Sequence, residues 1–173
     1  MKITLKTFII VFAFIISGTL CAQKTEAEAP ASRITQEDLS TVIGEWTGSL
    51  TYIDYSSNKP YTMPANLSVK QAKNKNQLTL YNTYPKEPKA NNTDKIKITK
   101  EGAFLNKKRV ASREVLANGN IQIHTEHIGK DDNKTALIRN VYLLGNDQFI
   151  IRKEVQFEGS DVWIKRSEFN YTR

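Results

Sequence analysis

From Gly44 onward the hydrophobic period of this chain is two, less cleanly in the later strands, where Arg139, Arg152, Lys153 and Glu154 interrupt the apolar positions. Trp46, Leu50, Tyr52 and Asp54 share one strand parity, with Thr47, Ser49 and Thr51 on the other. Ala65, Leu67 and Val69 alternate with Asn66, Ser68 and Lys70, and Leu78, Leu80 and Tyr84 alternate with polar neighbours. Ile96 and Ile98 follow a polar loop, and a strand near Phe104 and another over residues 109–116 follow the Glu101-Gly102 turn. Asn118-Gly119 is the strongest hairpin signal, and residues 129–133 read as the next turn. The last three strands are long, at residues 135–144, 148–157 and 162–173. No segment is long enough to serve as a crossover helix, which argues against a parallel sheet.

The pattern predicts an all-β fold, an antiparallel up-and-down β-barrel of about 8–10 strands, because closure removes the exposed edges that sequential hairpins leave. A two-sheet sandwich is the alternative. One short helix is expected before the strands, over residues 36–43, with Thr35 as N-cap, Glu37 and Asp38 in its first turn and Gly44 ending it.

The N-terminus reads as a targeting segment. Lys2 and Lys6 precede the apolar run FIIVFAFII at residues 8–16, which has signal-peptide length and is too short to span a bilayer. Residues 1–22 are read as a signal peptide cut after Ala22, residues 23–34 as a polar disordered linker and residues 35–173 as the barrel domain. A lipoprotein route would instead acylate Cys21, although bulky Leu20 before it disfavours that route. The expected location is exported, periplasmic or extracellular. Cys21 is the only cysteine, so the mature domain has no disulfide and no thiolate chemistry. Loss of Lys2 and Lys6 takes the charge from +7 to +5. Lys70, Lys95, Lys97, Lys100, Lys107, Lys108 and Arg109 read as an ordinary lysine-rich surface, the other reading being attraction to anionic envelope surfaces or ligands.

Gly44-Glu45-Trp46 at the head of the first strand, a short helix before it and an arginine on the last strand together resemble the calycin superfamily, which includes the lipocalins and the fatty-acid-binding proteins. That resemblance implies a barrel floor made of Gly44, Trp46 and an arginine, Arg173 or Arg166, laid over the indole. If the last strand closes antiparallel on the first, Trp46 meets Arg173 and Asp54 meets Lys165, with Arg166 facing outward. The guanidinium is then expected within about 6 Å of the ring centroid. The lipocalin Thr-Asp-Tyr turn motif is missing.

The resemblance also implies polar groups inside the barrel that take a ligand head group. Tyr52, Asp54, Tyr142, Lys153 and Lys165 are the candidates, and a one-residue bulge would turn such groups to water instead. Leu50, Leu67, Leu80, Ile98, Ile123 and Phe149 are the expected lining. His124 and His127 lie three apart on one strand and so face opposite ways. His127 has inward parity, as a haem ligand or general base would, but reads better as a strand-end histidine. Asp131-Asp132 reads as a polar turn in preference to a calcium site. The sequons at Asn66, Asn91, Asn133 and Asn170 fit the lysine- and asparagine-rich composition. No nucleophile elbow, HExxH or phosphate-loop motif occurs.

The expected function is binding of a small, partly apolar ligand by a non-catalytic monomer. No metal, no cofactor and no nucleic-acid partner is expected, and membrane association only through export or lipidation at Cys21. A filled barrel acting as a structural or interaction domain of the envelope is the alternative. A haem protein or lipocalin-like enzyme ranks last.

Overall fold

The computed structural model describes residues 33–173, so the expected signal peptide and nearly all of the expected linker lie outside the described residues. One short helix, α1 (Gln36–Ser40), precedes ten strands: β1 (Gly44–Ile53), β2 (Pro60–Gln71), β3 (Gln77–Thr83), β4 (Asn92–Thr99), β5 (Phe104–Leu105), β6 (Lys108–Val115), β7 (Ile121–Asp131), β8 (Lys134–Leu144), β9 (Gln148–Phe157) and β10 (Ile164–Thr172). Every strand is antiparallel to its sequence neighbour, and β10 returns to pair with β1, closing the barrel.

The helix starts where expected and stops early. Thr35 and Asp38 form a reciprocal capping box, Asp38 N donating to Thr35 Oγ1 at 3.3 Å and Thr35 N to the Asp38 carboxylate at 2.9 Å. The expected continuation through residue 43 does not form: Val42 N and Ile43 N donate three residues back, to Leu39 O and Ser40 O, and this tighter turn leads into β1, its carbonyls left for the barrel. Trp46 Nε1 donates to Val42 O, and the Arg173 guanidinium donates to Thr41 O and Ile43 O. Leu39 and Val42 are buried beneath the floor. Asp38 also accepts two bonds of 2.7 Å from Arg113, which stands on the inner face of β6 and ties the helix to the far wall. Burial alone would raise the Asp38 carboxyl, but the Arg113 and Thr35 hydrogen bonds outweigh it and hold the group below its ordinary range.

Two turns differ from the expectation. β7 runs straight through Gly129 to Asp131, and only Asp132 and Asn133, with φ of 48° and 61°, make the loop to β8. Two successive positive φ angles form the tight hairpin whose twist matches the strands, and Asp and Asn tolerate them. β10 begins at Ile164, two residues later than the pattern implied.

The seam is close-fitting. Pairing runs from Thr47↔Thr172 to Tyr52↔Ser167, and Gly48 sits opposite Tyr171. A Cβ on Gly48 would lie 2.1 Å from Asn170 O and 2.8 Å from Tyr171 Cα. Both are backbone atoms, so neither can swing away. Gly48→Ala is therefore expected to cost about 3 kcal/mol by overpacking, read as a lower urea midpoint. An unchanged midpoint would mean that the seam is looser than drawn.

The register stacks inward side chains in rings. Met63, Leu50, Phe169, Ile151, Tyr142 and Ile123 are successive cross-strand partners in one ring. Below it Trp46, Leu67, Leu80, Ile98, Leu144 and Phe149 are each at most 5% exposed and belong to one continuous core. Surface that a water-sized probe cannot touch borders no water-sized space, so the lower barrel is filled by its own side chains. The ring above is Tyr61, Tyr52, Ser167, Lys153, Asn140, Thr125 and Val110. The interior thus changes from apolar to polar within one ring.

Candidate functional site

The floor explains the Gly-x-Trp pattern. Trp46 is buried, with Phe149 at 5.9 Å between ring centroids. The Arg173 guanidinium lies 4.2 Å from the indole centroid, inside the expected 6 Å. It also donates to the carbonyls of Asn146, Ile43 and Thr41, which staples the C-terminus to the helix connection and to the β8–β9 turn. Gly44 has φ of +131°, and a Cβ there would lie 2.9 Å from an Arg173 terminal nitrogen. Glycine is needed at this position both for its backbone angle and for the approach of the arginine. Each guanidinium nitrogen of Arg173 and the indole N–H donates to a backbone carbonyl, so the floor is structural.

Toward the opposite end the packing loosens on the side of β1 and β10, while Ala136, Ile138 and Val155 form a second buried cluster on the side of β8 and β9. Leu50, Ile151 and Phe169 are inward and only partly buried, forming the apolar base of a shallow cup. Tyr52 stands on its wall with its ring 5.5 Å from that of Tyr61. Lys153 and Asn140 continue the wall.

The strongest electrostatic feature is a carboxylate that the sequence reading left in a turn. Asp131 is fully buried at the top of β7. Its Oδ1 accepts from Lys153 Nζ at 2.6 Å and from Tyr55 Oη at 2.8 Å, and its Oδ2 accepts from Arg166 Nε at 2.6 Å. The Arg166 guanidinium also lies 5.2 Å from the Tyr55 ring centroid. The side chains of Lys153 and Arg166 are 32% and 10% exposed. Burial pushes the Asp131 carboxyl up, but the Lys153 and Tyr55 hydrogen bonds and both cations hold it below the ordinary range. Both oxygens of this carboxylate are thus engaged by protein donors.

Two expected site residues are elsewhere. A β-bulge between Lys165 and Ser167 exchanges the directions of Lys165 and Arg166. Lys165 is turned to the outer face, 51% exposed and bound to Glu168 at 3.0 Å, while Arg166 enters the cup. Asp54 does not meet Lys165. It closes the β1–β2 turn, accepting from the Ser56 hydroxyl and from the Ser57 N–H and hydroxyl, which bring its pKa down to about 2. Tyr142 faces inward but lies in the apolar ring beneath the cup, where burial pushes its hydroxyl up to about 12.

The two histidines face opposite ways. His124 is on the outer wall near Arg139, and His127 is on the inner one. His127 Nδ1 is buried without a protein partner. Burial, and then the charges of Lys108 and Lys153, push its pKa down, so the ring is neutral near pH 7. A carboxylate with two cations, flanked by a neutral imidazole and Lys108, makes the Asp131 side of the cup positive, whereas Glu87 and Asp54 act on Tyr52 at the other side.

The molecule is thus a closed antiparallel barrel with a solid base and an apolar-floored cup that is basic on its Asp131 side. No protein-family model matches the chain, and no curated protein matches it. The solved structure of Rv2717c from M. tuberculosis is similar, with a TM-score of 0.52 and 14% identity over 84% of this chain and 98% of that one. A protein of unknown function from the DUF3598 family of Nostoc punctiforme PCC 73102 aligns with 85% of this chain and 53% of its own, with a TM-score of 0.37 and 12% identity. The first of these, of nearly matching extent, supports the β-barrel fold and speaks to the fold alone.

Proposed function

We propose that this chain is an exported, non-catalytic and monomeric binding protein whose cup takes a small, partly apolar anion. The observation that carries this reading is the pairing of one buried carboxylate, Asp131, with two cations, Lys153 and Arg166, at 2.6 Å each. A second anionic group entering the cup would complete the pairing of Lys153, the more exposed of the two. The apolar part of such a ligand meets Leu50, Ile151 and Phe169. The solid base limits it to a small body, unlike the long chain that a deep lipocalin-like or fatty-acid-binding cavity would hold.

The alternative, a filled barrel that works through its outer surface, draws on the same solid base. Titration with anilinonaphthalene sulfonate, an aromatic anion, separates the two. The wild type is expected to bind one equivalent saturably. Lys153→Met is expected to bind about tenfold more weakly, the value of a lost charge-assisted hydrogen bond. A neutral naphthalene probe is expected to be indifferent to that change. Absence of saturable binding to the folded wild type would overturn the cup reading in favour of the filled barrel. A Soret band in the purified protein would replace it with a haem reading.

A further inference from the structure

The charges are divided between the two sides of the barrel. Residues 59–109, which make β2 to β5 and the start of β6, hold twelve lysines and arginines against three acids. Residues 110–173 hold nine against nine. The pairing differs in the same way. On the second side Arg113, Arg139, Arg152, Lys153, Lys165 and Arg166 each contact a carboxylate. On the first side, among the described residues, none of the eleven lysines forms an ion pair. Of the three acids there, Glu101 is taken by Arg33 at 3.1 Å, and Asp94 accepts from Asn82 at 3.4 Å.

We infer that the outer wall of β2 to β5 is a docking surface for an anionic phospholipid bilayer. The register sets its face. Lys70, Thr79 and Lys95 are successive outward partners across three strands, and Lys97 lies one outward step along β4. With strands about 4.8 Å apart, Lys70 and Lys95 stand roughly 10 Å apart on a sheet face. A hollow of about 320 Å³ beside them is lined by Asp94, Lys95, Lys97, Thr99, Asn106 and Lys107, and its three lysines suit a headgroup phosphate. Tyr81, 43% exposed, stands one row above, with the Lys70 ammonium 5.5 Å from its ring centroid. An amphipathic ring among lysines suits the boundary between headgroups and acyl chains. A nucleic-acid strand would call for several stacking aromatics, whereas the outward positions of β2 to β5 hold two, Tyr81 and Phe104, each with a lysine ammonium over its ring.

The chain enters the domain at the foot of this wall. Arg33 and Ile34 contact Glu101 and Gly102, and Gln36 donates to Asn76 at 2.8 Å, beside Lys75 and Lys100. A domain brought to a bilayer through the segment before Arg33 therefore has its unpaired lysines nearest to it. Each lysine close to an anionic surface strengthens partition roughly fivefold.

The test is cosedimentation of the full chain with vesicles of phosphatidylcholine alone and of phosphatidylcholine mixed with phosphatidylglycerol. The neutral vesicles measure whatever the N-terminal segment contributes. The expected result is tighter partition to the anionic vesicles, weakened by salt. Lys70→Gln/Lys95→Gln/Lys97→Gln is expected to lose on the order of a hundredfold of that gain. Lys130→Gln/Lys134→Gln, on exposed residues of the neutral side, is expected to keep it. Equal loss per lysine removed in both variants would reduce the effect to net charge and overturn the docking face. So would equal partition to both vesicle types, or tighter binding to an acidic polysaccharide or nucleic acid than to the anionic vesicles.

Discussion

Trp46→Ala is expected to lower the stability of the barrel by about 3–5 kcal/mol, the range for deleting a buried large aromatic. The indole is the largest fully buried side chain and meets Phe149 on one side and the Arg173 guanidinium on another. Its removal leaves a void at the floor and an arginine without its ring. It also frees Val42 O, which then lacks the 2.8 Å bond from Nε1. Trp46→Phe separates these terms. It retains a ring for Arg173 and is expected to cost about 1–3 kcal/mol, from lost volume and an unsatisfied carbonyl. Arg173→Ala is expected to cost about 1–2 kcal/mol, since the guanidinium is partly exposed and its cation–π contact is worth about 0.5–2 kcal/mol. Equilibrium urea unfolding measures all three. A Trp46→Ala loss below about 1 kcal/mol would mean that the floor collapses around the gap and that the indole is no plug.

Asp131→Asn is expected to act in two directions at once. It leaves Lys153 and Arg166 facing each other with no carboxylate between them. Breaking a buried ion pair from one side costs about 3–5 kcal/mol, and the partial exposure of Lys153 places this case at the low end, near 3. The same change frees both cations for a ligand, so the affinity for an anionic probe is expected to rise. Added anion is then expected to recover part of the lost stability through linkage. A fall in both stability and anion affinity would contradict the assignment of the cup.

The acid dependence follows from the same group. The folded-state pKa of Asp131 lies below its unfolded value, as do those of Asp38 and Glu168. Each contributes stability that is fully present above the unfolded carboxyl pKa of about 4, and each loses it as the pH falls through the folded value. Stability is therefore expected to decline below about pH 4, less steeply in Asp131→Asn than in the wild type.

The period-two alternation carried most of the architecture. Strand number, order and closure all follow from hairpin turns between alternating runs, and even the seam register was legible. Matching Trp46 with Arg173 sets the pairs that the structure forms from Thr47↔Thr172 to Tyr52↔Ser167. What parity arithmetic cannot contain is an unpaired residue. The bulge at Arg166 reverses every inward assignment on the far side of it, which moved Lys165 out of the site and Arg166 in. Asp131 was hidden for a different reason. Gly129 reads as turn chemistry, yet here it makes room inside the barrel, where a Cβ would lie 2.7 Å from Ile138. The better signal was Asp132-Asn133, two residues that accept positive φ. Carrying the parity of Ile121, Ile123 and His127 past Gly129 would have placed Asp131 inside as well. Tyr55 lies beyond the end of β1, and no periodicity reaches it.

The central claim is that the cup holds a small anion, and the most direct measurement is native mass spectrometry of the protein purified from its own host. The account predicts a retained mass of a small, acidic, partly apolar molecule, present on the wild type and lost or reduced on Lys153→Met. An apo mass on the wild type, together with no displacement of anilinonaphthalene sulfonate by any carboxylate or sulfonate tried, would contradict it.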